Sequence, residues 1–410
     1  MEKTMQAAVL HAENDLRYEE VDRPDPGPGQ VLLRVRTCGI CGTDSHIVKG
    51  RFPTPNKPVI LGHEFAGEVA AVGQGVKHIK EGDRATADIN TACGHCEYCR
   101  NNQKLFCPEI LQIGVHTHGG LADYVIAPAE NIYILPKDMP FNHAAYIEPL
   151  ACAIHGQKRI QVDVGETVLI LGAGPMGLTH TALSKRRGAG QVLVSEPNAK
   201  RREIAHKLGS DKEFDPTKPE TIDLIMEATN GRGADVVIEA VGSTSTYQQS
   251  FDLVRRGGKI LAYGAAPTDA IVEMKPFEIY AKELTIVGSY AGSYETWPAA
   301  MALISSGSFD PSLIIDTETE LSEINNILNQ IVEFTVWDEN ETCFGCNNDE
   351  VELWNIKATV YYEKVIKGNP EYEMVFNCKI SIAQCVQGNS ENSQKVRAEL
   401  LKMTKDDKNK

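Results

Sequence analysis

The sequence contains no run of about 18 consecutive apolar residues, so no segment has the pattern of a membrane-spanning helix. Positive charge is also scarce, because 41 Lys and Arg residues against 56 Asp and Glu residues leave a net charge of −15. This balance disfavours nucleic-acid or anionic-membrane partners, whose phosphates need cations to displace their counterions. Acidic residues also precede any apolar stretch of signal-peptide length, so we expect a cytoplasmic protein.

The eleven cysteines are the first informative residues that are present. Their odd number, without an export signal, disfavours a disulfide framework. Four of them lie in one short segment with two-residue gaps, a spacing that lets thiolates surround a tetrahedral ion. Such a site has no position open for substrate and would be structural; the alternative is a loop of reduced, unliganded thiols. The four residues are Cys93, Cys96, Cys99 and Cys107.

Two kinds of strand pattern divide the chain. Residues 6–10 and 31–37 alternate in polarity, and the glycine-rich region after them is typical of β structure with tight turns. From about residue 165 the strands become short continuous apolar runs separated by helix-length segments. Such runs are typical of a buried parallel sheet, so 150–282 is predicted to be one doubly wound domain. The runs are 167–171, 191–194, 235–238, 259–262 and 284–287, with a shorter one at 212–214.

A glycine-rich turn follows the first of these runs. A Gly-x-Gly-x-x-Gly string alone is weak evidence for a dinucleotide-binding site, but here it follows a predicted buried strand and begins a predicted helix. The first glycine permits a tight turn, the second lets a pyrophosphate approach the backbone, and the third allows the helix to pack on the strand. The helix N-terminus adds free N–H groups for the phosphates. The predicted cofactor-binding turn comprises Gly172, Gly174, Pro175, Met176 and Gly177.

The cofactor preference is predicted from the end of the second strand. Glu196 stands there, nineteen residues after Gly177. A carboxylate at this place accepts hydrogen bonds from the ribose hydroxyls and repels a 2′-phosphate, which favours NAD over NADP. Arg201, in the basic stretch 200–202, could accommodate a 2′-phosphate, so NADP stays possible.

Three separated segments carry side chains that bind metals. Cys41 follows the strand at 31–37, His63 and Glu64 are adjacent, and Glu148 stands just before the predicted nucleotide domain. A zinc ion with thiolate, imidazole and carboxylate ligands keeps a position open for an alcohol, as catalysis requires. A single Cys or His is more often a packed core residue, so spacing alone leaves both interpretations open.

Six stretches, in this order, make the sequence similar to a known family. They are CGICGTDSH, GHEFAGEVAAVG, CGHCEYC followed by Cys107, GGLADYV, IEPLACAIHG and LGAGPMG. Over about residues 5–330 the chain resembles the zinc-dependent medium-chain dehydrogenases/reductases, in the branch with sorbitol, arabinitol and threonine dehydrogenases. The resemblance implies an α/β fold with a GroES-like β-rich catalytic domain (1–149 and 283–330) and a Rossmann domain with a doubly wound parallel sheet (150–282).

The resemblance also implies the site and the reaction. Cys41, His63 and Glu64 would surround a catalytic zinc, with Glu148 near enough to exchange as a ligand, and a second zinc would be structural. Thr43 and His46 would pass the alcohol proton toward solvent through the nicotinamide ribose, while a secondary alcohol of a polyol gives hydride to the nicotinamide. The implied protein binds two zinc ions, NAD and a small alcohol or polyol.

Three questions stay open at this level. L-threonine is an alternative substrate, and Gly292 stands where relatives acting on sorbitol carry an arginine. Residues 331–410 match nothing in the family, so a non-catalytic nucleotide-binding or partner-binding protein is an alternative of another class; Cys343, Cys346, Cys378 and Cys385 there are a weaker candidate metal set. The resemblance also implies a homo-oligomer, dimer or tetramer, which is physically plausible because an edge strand at 284–291 would otherwise be exposed.

Overall fold

The computed structural model describes residues 3–54, 56–315 and 318–328, all within one compact unit. The unmatched segment 331–410 and its four cysteines lie outside these residues. Within the described part, no helix is both long and apolar enough to cross a bilayer.

The N-terminal half is built from antiparallel sheets, as the alternating patterns predict. Its strands are β1 (Thr4–Ala12), β2 (Asp15–Asp22), β3 (Gln30–Gly39), β4 (Val59–Ile60), β5 (Glu64–Val72), β6 (Arg84–Ala87), β7 (Asn90–Thr91), β8 (Leu111–Gln112), β9 (Tyr124–Pro128) and β10 (Ile132–Ile134). The larger sheet has the order β10-β6-β5-β3-β9, and the others are β2-β1-β4 and β7-β8. The helices of this half are short, apart from one that leads into the second half. They are α1 (Gly42–Val48), α2 (Glu97–Arg100), α3 (Phe141–Ala145) and α4 (Ile147–Ile160), with 3₁₀ turns at Lys104–Phe106 and Ala129–Asn131.

The second half is a six-stranded parallel sheet, and each strand predicted from an apolar run is present. The strands are β11 (Thr167–Leu171), β12 (Gln191–Ser195), β13 (Lys212–Phe214), β14 (Ala234–Glu239), β15 (Val254–Ala262) and β16 (Thr285–Gly288). The helices are α5 (Pro175–Arg186), α6 (Ala199–Lys207), α7 (Thr221–Ala228), α8 (Thr244–Leu253), α9 (Pro276–Lys282) and α10 (Thr296–Ser305), and 3₁₀ turns follow at Pro311–Leu313 and Leu321–Glu323. The order β13-β12-β11-β14-β15-β16 is that of a dinucleotide-binding Rossmann sheet.

The predicted end of the nucleotide domain at residue 282 leaves out part of this sheet. Strand β16, at 285–288, pairs in parallel with β15 and completes the sheet. The physical reason is that α9 serves as the crossover returning the chain to a parallel edge position. The other predicted limits of the catalytic domain (1–149 and 283–330) and of the nucleotide domain, which begins at residue 150, stay predictions.

The core that positions the site lies between α4, the parallel sheet and α10. Leu150, Ile170 and Trp297 are each at most 1% exposed and belong to one apolar cluster. Helix α4 therefore joins the two halves, and its first turn carries Glu148 where they meet.

Candidate active site

The antiparallel pairing of β3 with β5 brings the predicted metal ligands together. Gly39 at the end of β3 pairs with Glu64 at the start of β5, so Cys41 and His63 lie at the same end of the sheet. One ligand atom each from Cys41, His63 and Glu64 lies within 4.8 Å of the others. A sulfur, a nitrogen and an oxygen at this separation form a donor set suited to zinc with an open position.

Asp44 orients the imidazole of this group. The Oδ1 atom of Asp44 lies 3.4 Å from Nδ1 of His63, and neither atom has a hydrogen-bond partner among the described residues. With Nδ1 facing a carboxylate, Nε2 is the nitrogen left for a metal. The other oxygen, Oδ2, accepts a hydrogen bond of 2.9 Å from the backbone N–H of Cys41 at the start of α1. Asp44 thus contacts two of the three candidate ligands.

Buried carboxylates make the site suited to a cation. Burial raises the pKa of Glu64 to about 8; His63 opposes the shift, and the charges of Glu148 and Asp44 add to it. Burial also raises the pKa of Glu148. A divalent ion would supply the positive charge that keeps these carboxylates ionised. The residues present therefore fit the predicted catalytic zinc.

Glu148 itself lies outside the three-residue group. Its Oε1 atom accepts a hydrogen bond of 3.2 Å from the thiol of Cys152, one turn along α4. The prediction that Glu148 exchanges as a ligand therefore depends on a displacement that breaks this contact, and it stays a prediction.

Thr43 and His46 lie on α1 beside the group. The Oγ1 atom of Thr43 is 3.5 Å from the sulfur of Cys41. His46 is three residues further along the helix, so both side chains are on the same face. Burial lowers the pKa of His46, and Lys49 and Arg51 lower it further. The imidazole is therefore neutral near pH 7 and able to accept a proton.

The four cysteines of the second predicted site also converge. Their sulfur atoms all lie within 4.8 Å of one another, and those of Cys93 and Cys99 are 4.0 Å apart. A tetrahedron with Zn–S distances of about 2.3 Å has edges of about 3.8 Å. The backbone N–H groups of His95 and Cys96 lower the pKa of Cys93 to about 6, which favours the thiolate that zinc requires. These thiolates fit a closed structural site.

The glycine-rich turn has the geometry that its spacing predicts. Gly172 has φ = +90°, and a Cβ at Gly177 would lie 2.0 Å from the carbonyl oxygen of Gly172. A Cβ at Gly174, in contrast, would meet nothing within 4 Å, so this position is open to an approaching ligand. Pro175 begins α5 and is exposed, whereas Met176 packs partly against the core. The residues present fit a dinucleotide pyrophosphate.

Glu196 lies at the end of β12, beside this turn. Its Oε2 atom accepts a hydrogen bond of 2.7 Å from the N–H of Ala173, and its Oε1 atom accepts one of 2.9 Å from Asn198. Each oxygen keeps a lone pair for a ribose hydroxyl. The half-exposed guanidinium of Arg201 is 3.9 Å from Oε1.

Sequence reasoning missed Asp44, which faces the imidazole of His63. Asp44 has a sequence signal, since an acidic residue three positions after a helix-start residue is typical of a capping box. His118 accepts a backbone hydrogen bond of 3.1 Å at Nδ1 from Ile60, and His116 accepts one of 3.0 Å from Gln112. Both histidines are therefore neutral with Nε2 protonated, and their Nδ1 atoms have structural roles.

Comparison with known proteins gives the family of this chain. Residues 27–137 match the alcohol dehydrogenase GroES-like domain, and 175–306 match the zinc-binding dehydrogenase domain. The chain is 32% identical to D-arabitol-phosphate dehydrogenase of Enterococcus avium, covering 81% of this chain and 96% of that protein. It is 37% identical to L-threonine 3-dehydrogenase of Pyrococcus horikoshii, covering 72% and 86%.

Among solved structures, a zinc-binding dehydrogenase from Sinorhizobium meliloti bound to NADP is similar, with a TM-score of 0.76 and 34% identity over 80% of this chain and 96% of that one. The alternative of a non-catalytic protein is therefore wrong, because the related enzymes match over most of the chain. Fold, site geometry and relatives together show that this chain belongs to the zinc-dependent medium-chain dehydrogenase/reductase family and is an NAD(P)-dependent alcohol dehydrogenase acting on a small molecule.

Proposed function

We propose that this enzyme oxidises a secondary alcohol of a polyol or sugar alcohol to a ketone, with NAD as the acceptor. The observation that carries the proposal is the close group of Cys41, His63 and Glu64, with the Thr43 hydroxyl beside it. When bound, zinc lowers the pKa of the substrate hydroxyl and the nicotinamide accepts the hydride. The residues of this chain hold the ion, orient the alcohol and move its proton.

Proton removal is the step in which the chain itself takes part. A neutral alcohol that lost hydride would leave a protonated carbonyl, so the hydroxyl proton must leave before or with the hydride. The Thr43 Oγ1 atom accepts this proton and passes its own toward His46. The lowered pKa of His46 keeps its imidazole in the neutral form, which has a free nitrogen to accept the proton.

The substrate is decided by a panel of polyols, phosphorylated polyols, simple alcohols and L-threonine, with NADH formation measured before and after chelation. L-threonine is the second candidate substrate, because the Pyrococcus horikoshii relative is an L-threonine 3-dehydrogenase. Faster NADH formation with a polyol than with L-threonine supports the proposal. NADH formation with L-threonine alone replaces the proposed substrate with the second candidate. No turnover of any compound by zinc-loaded protein would contradict both.

NAD is proposed over NADP because the Glu196 carboxylate lies where a 2′-phosphate would approach. The test compares kcat/KM for the two cofactors in the parent and in Glu196→Gln. We expect the parent to favour NAD and the variant to lose most of that preference. A parent that favours NADP would contradict this assignment.

Two zinc ions per chain are proposed, one held by Cys41, His63 and Glu64 and one by the four cysteines. Metal analysis of the purified chain should give two. Cys41→Ser should retain one and stay folded, because the closed thiolate site is intact. A parent with one zinc would contradict the proposal.

A homo-oligomer is proposed from the exposed edge of the parallel sheet. Among the described residues β16 is an edge strand, and apolar side chains on it and on the preceding helix α9 face solvent, with Ile286 41%, Phe277 75% and Tyr280 78% exposed. A second copy pairing along β16 would cover both the edge and these side chains. Mass measurement in solution should give a dimer or tetramer, and Ile286→Lys should weaken it. A monomeric parent would contradict this proposal.

A further inference from the structure

A buried lysine lies within the four-cysteine loop, between Cys99 and Cys107. Lys104 is 2% exposed and forms an ion pair with Asp88, which is fully buried. Its Nζ atom also lies 3.3 Å from the carbonyl oxygen of Asn90 and 3.5 Å from the ring centroid of Tyr294. The three N–H groups of the ammonium therefore have a carboxylate, a carbonyl and an aromatic face as partners.

The same polar cluster holds the segment 290–294, which joins β16 to α10. Asn90 donates from Nδ2 to Asp88 Oδ1 at 3.0 Å and to the carbonyl oxygen of Gly292 at 3.3 Å. Tyr290 donates from its hydroxyl to Gln112 Oε1 at 2.8 Å, and Gln112 donates in turn to Asn90 Oδ1 at 2.8 Å. The segment is thus held at its beginning, middle and end.

Segment 290–294 borders the candidate active site. A Cβ at Gly292 would lie 3.2 Å from Cβ of Ala151, which stands on α4 between Glu148 and Cys152. The phenol of Tyr290 is near enough to Cys152 and His63 for their charges to affect its pKa. A shift of this segment would therefore change the space available to a substrate.

We propose that Lys104 is a positioning residue, which fixes segment 290–294 through Asp88, Asn90 and Tyr294 and thereby sets the affinity for the alcohol. A buried ion pair adds little to stability by itself but fixes one geometry. Lys104 does not touch the reacting atoms, so it acts on substrate binding rather than on the hydride step. This inference rests on the proposed function of the site.

The contact with Tyr294 offers the cleanest test, because it can be removed without leaving a charge unpaired. Tyr294→Leu removes the aromatic face, whereas Tyr294→Phe keeps it. Tyr18→Leu is the matched control, since Tyr18 is a similarly exposed tyrosine on β2, away from this cluster in the sequence. Lys104→Met removes the ammonium side of the same contact. If that variant does not fold, the comparison of Tyr294→Leu with Tyr294→Phe decides whether the proposal holds.

Two measurements are made on the full chain: KM and kcat for the best alcohol and for NAD, and hydrogen exchange of the amides of 289–295. We expect Tyr294→Leu to raise KM for the alcohol about fivefold, with kcat and KM for NAD little changed and with faster exchange in the segment. Tyr294→Phe and Tyr18→Leu should behave like the parent.

An unchanged KM for the alcohol in Tyr294→Leu would overturn the proposal, and so would an equal rise in Tyr18→Leu. If the parent oxidises no alcohol, the proposed function fails, and hydrogen exchange alone then decides about Lys104. In that case, faster exchange in Tyr294→Leu supports the conclusion that Lys104 fixes segment 290–294, and unchanged exchange overturns that conclusion.

Discussion

The Oδ1 atom of Asp44 lies 3.4 Å from Nδ1 of His63, and both side chains are buried. This pair fixes which imidazole nitrogen faces the candidate metal group. Partners of this kind contribute about 10–100-fold to metal affinity. The relationship is the basis of the first prediction.

Asp44→Asn should weaken zinc binding about 10–100-fold, because an amide donor facing Nδ1 favours the tautomer that protonates Nε2. The amide oxygen of the new side chain can still accept the hydrogen bond from the backbone N–H of Cys41, so the fold should persist. Competition with a chelator measures the affinity. Asp138→Asn, in an exposed turn, is the control, and equal affinities in both variants would contradict the prediction.

Thr43→Val should lower kcat about 100-fold, because it removes the hydroxyl that passes the alcohol proton while keeping a similar shape. Thr43→Ser should retain most of the activity. Metal content must be the same in both variants, since the hydroxyl only neighbours the Cys41 sulfur. If Thr43→Val and Thr43→Ser were equally active, the proton path would have to run elsewhere.

Two glycines of the cofactor turn should differ when each is replaced by alanine. Gly174→Ala has room for its Cβ in the free protein, so thermal stability should hold while NADH binding weakens about tenfold. Gly177→Ala would place its Cβ 2.0 Å from a carbonyl oxygen, so it should lose about 1–3 kcal/mol of stability. Thermal unfolding and NADH fluorescence titration separate the two effects. Equal stability of the two variants would contradict this reading of the turn.

His180 should make the protein less stable in acid. It is fully buried on α5, its Nε2 atom has no hydrogen-bond partner in the described structure, and burial lowers its pKa from 6.5 to about 3. The folded state therefore binds fewer protons than the unfolded state as the pH falls. The free energy of unfolding is unaffected by His180 above pH 6.5 and decreases as the pH falls from 6.5 toward 3. At about pH 5 the loss should be about 2 kcal/mol.

Denaturant unfolding from neutral to acidic pH measures this loss. His180→Gln should flatten the decline, because the replacement does not titrate. His78→Gln, at an exposed histidine, should leave the parent profile unchanged. A His180→Gln variant with the parent's slope would show that other groups cause the decline.

Both cofactor and structural-metal patterns could be predicted because their chemistry is local. The cysteines at 93, 96 and 99 are too close in sequence to separate, and the Gly172–Gly177 turn follows directly from its strand. The catalytic group does not follow from a local pattern, since His63 stands 22 positions after Cys41 and nothing local brings the two together. The family resemblance supplied what spacing alone could not.

The sequence by itself determined the strand runs, the glycine turn, the thiolate loop and the residue types of the catalytic group, because each depends on short-range pattern and side-chain chemistry. Only the tertiary structure decided that β3 and β5 align Cys41 with His63, that β16 completes the parallel sheet, and that Lys104 lies against Tyr294. Those relationships depend on sheet register and on packing between elements far apart in the chain. No local periodicity encodes which distant partner a buried charge will meet.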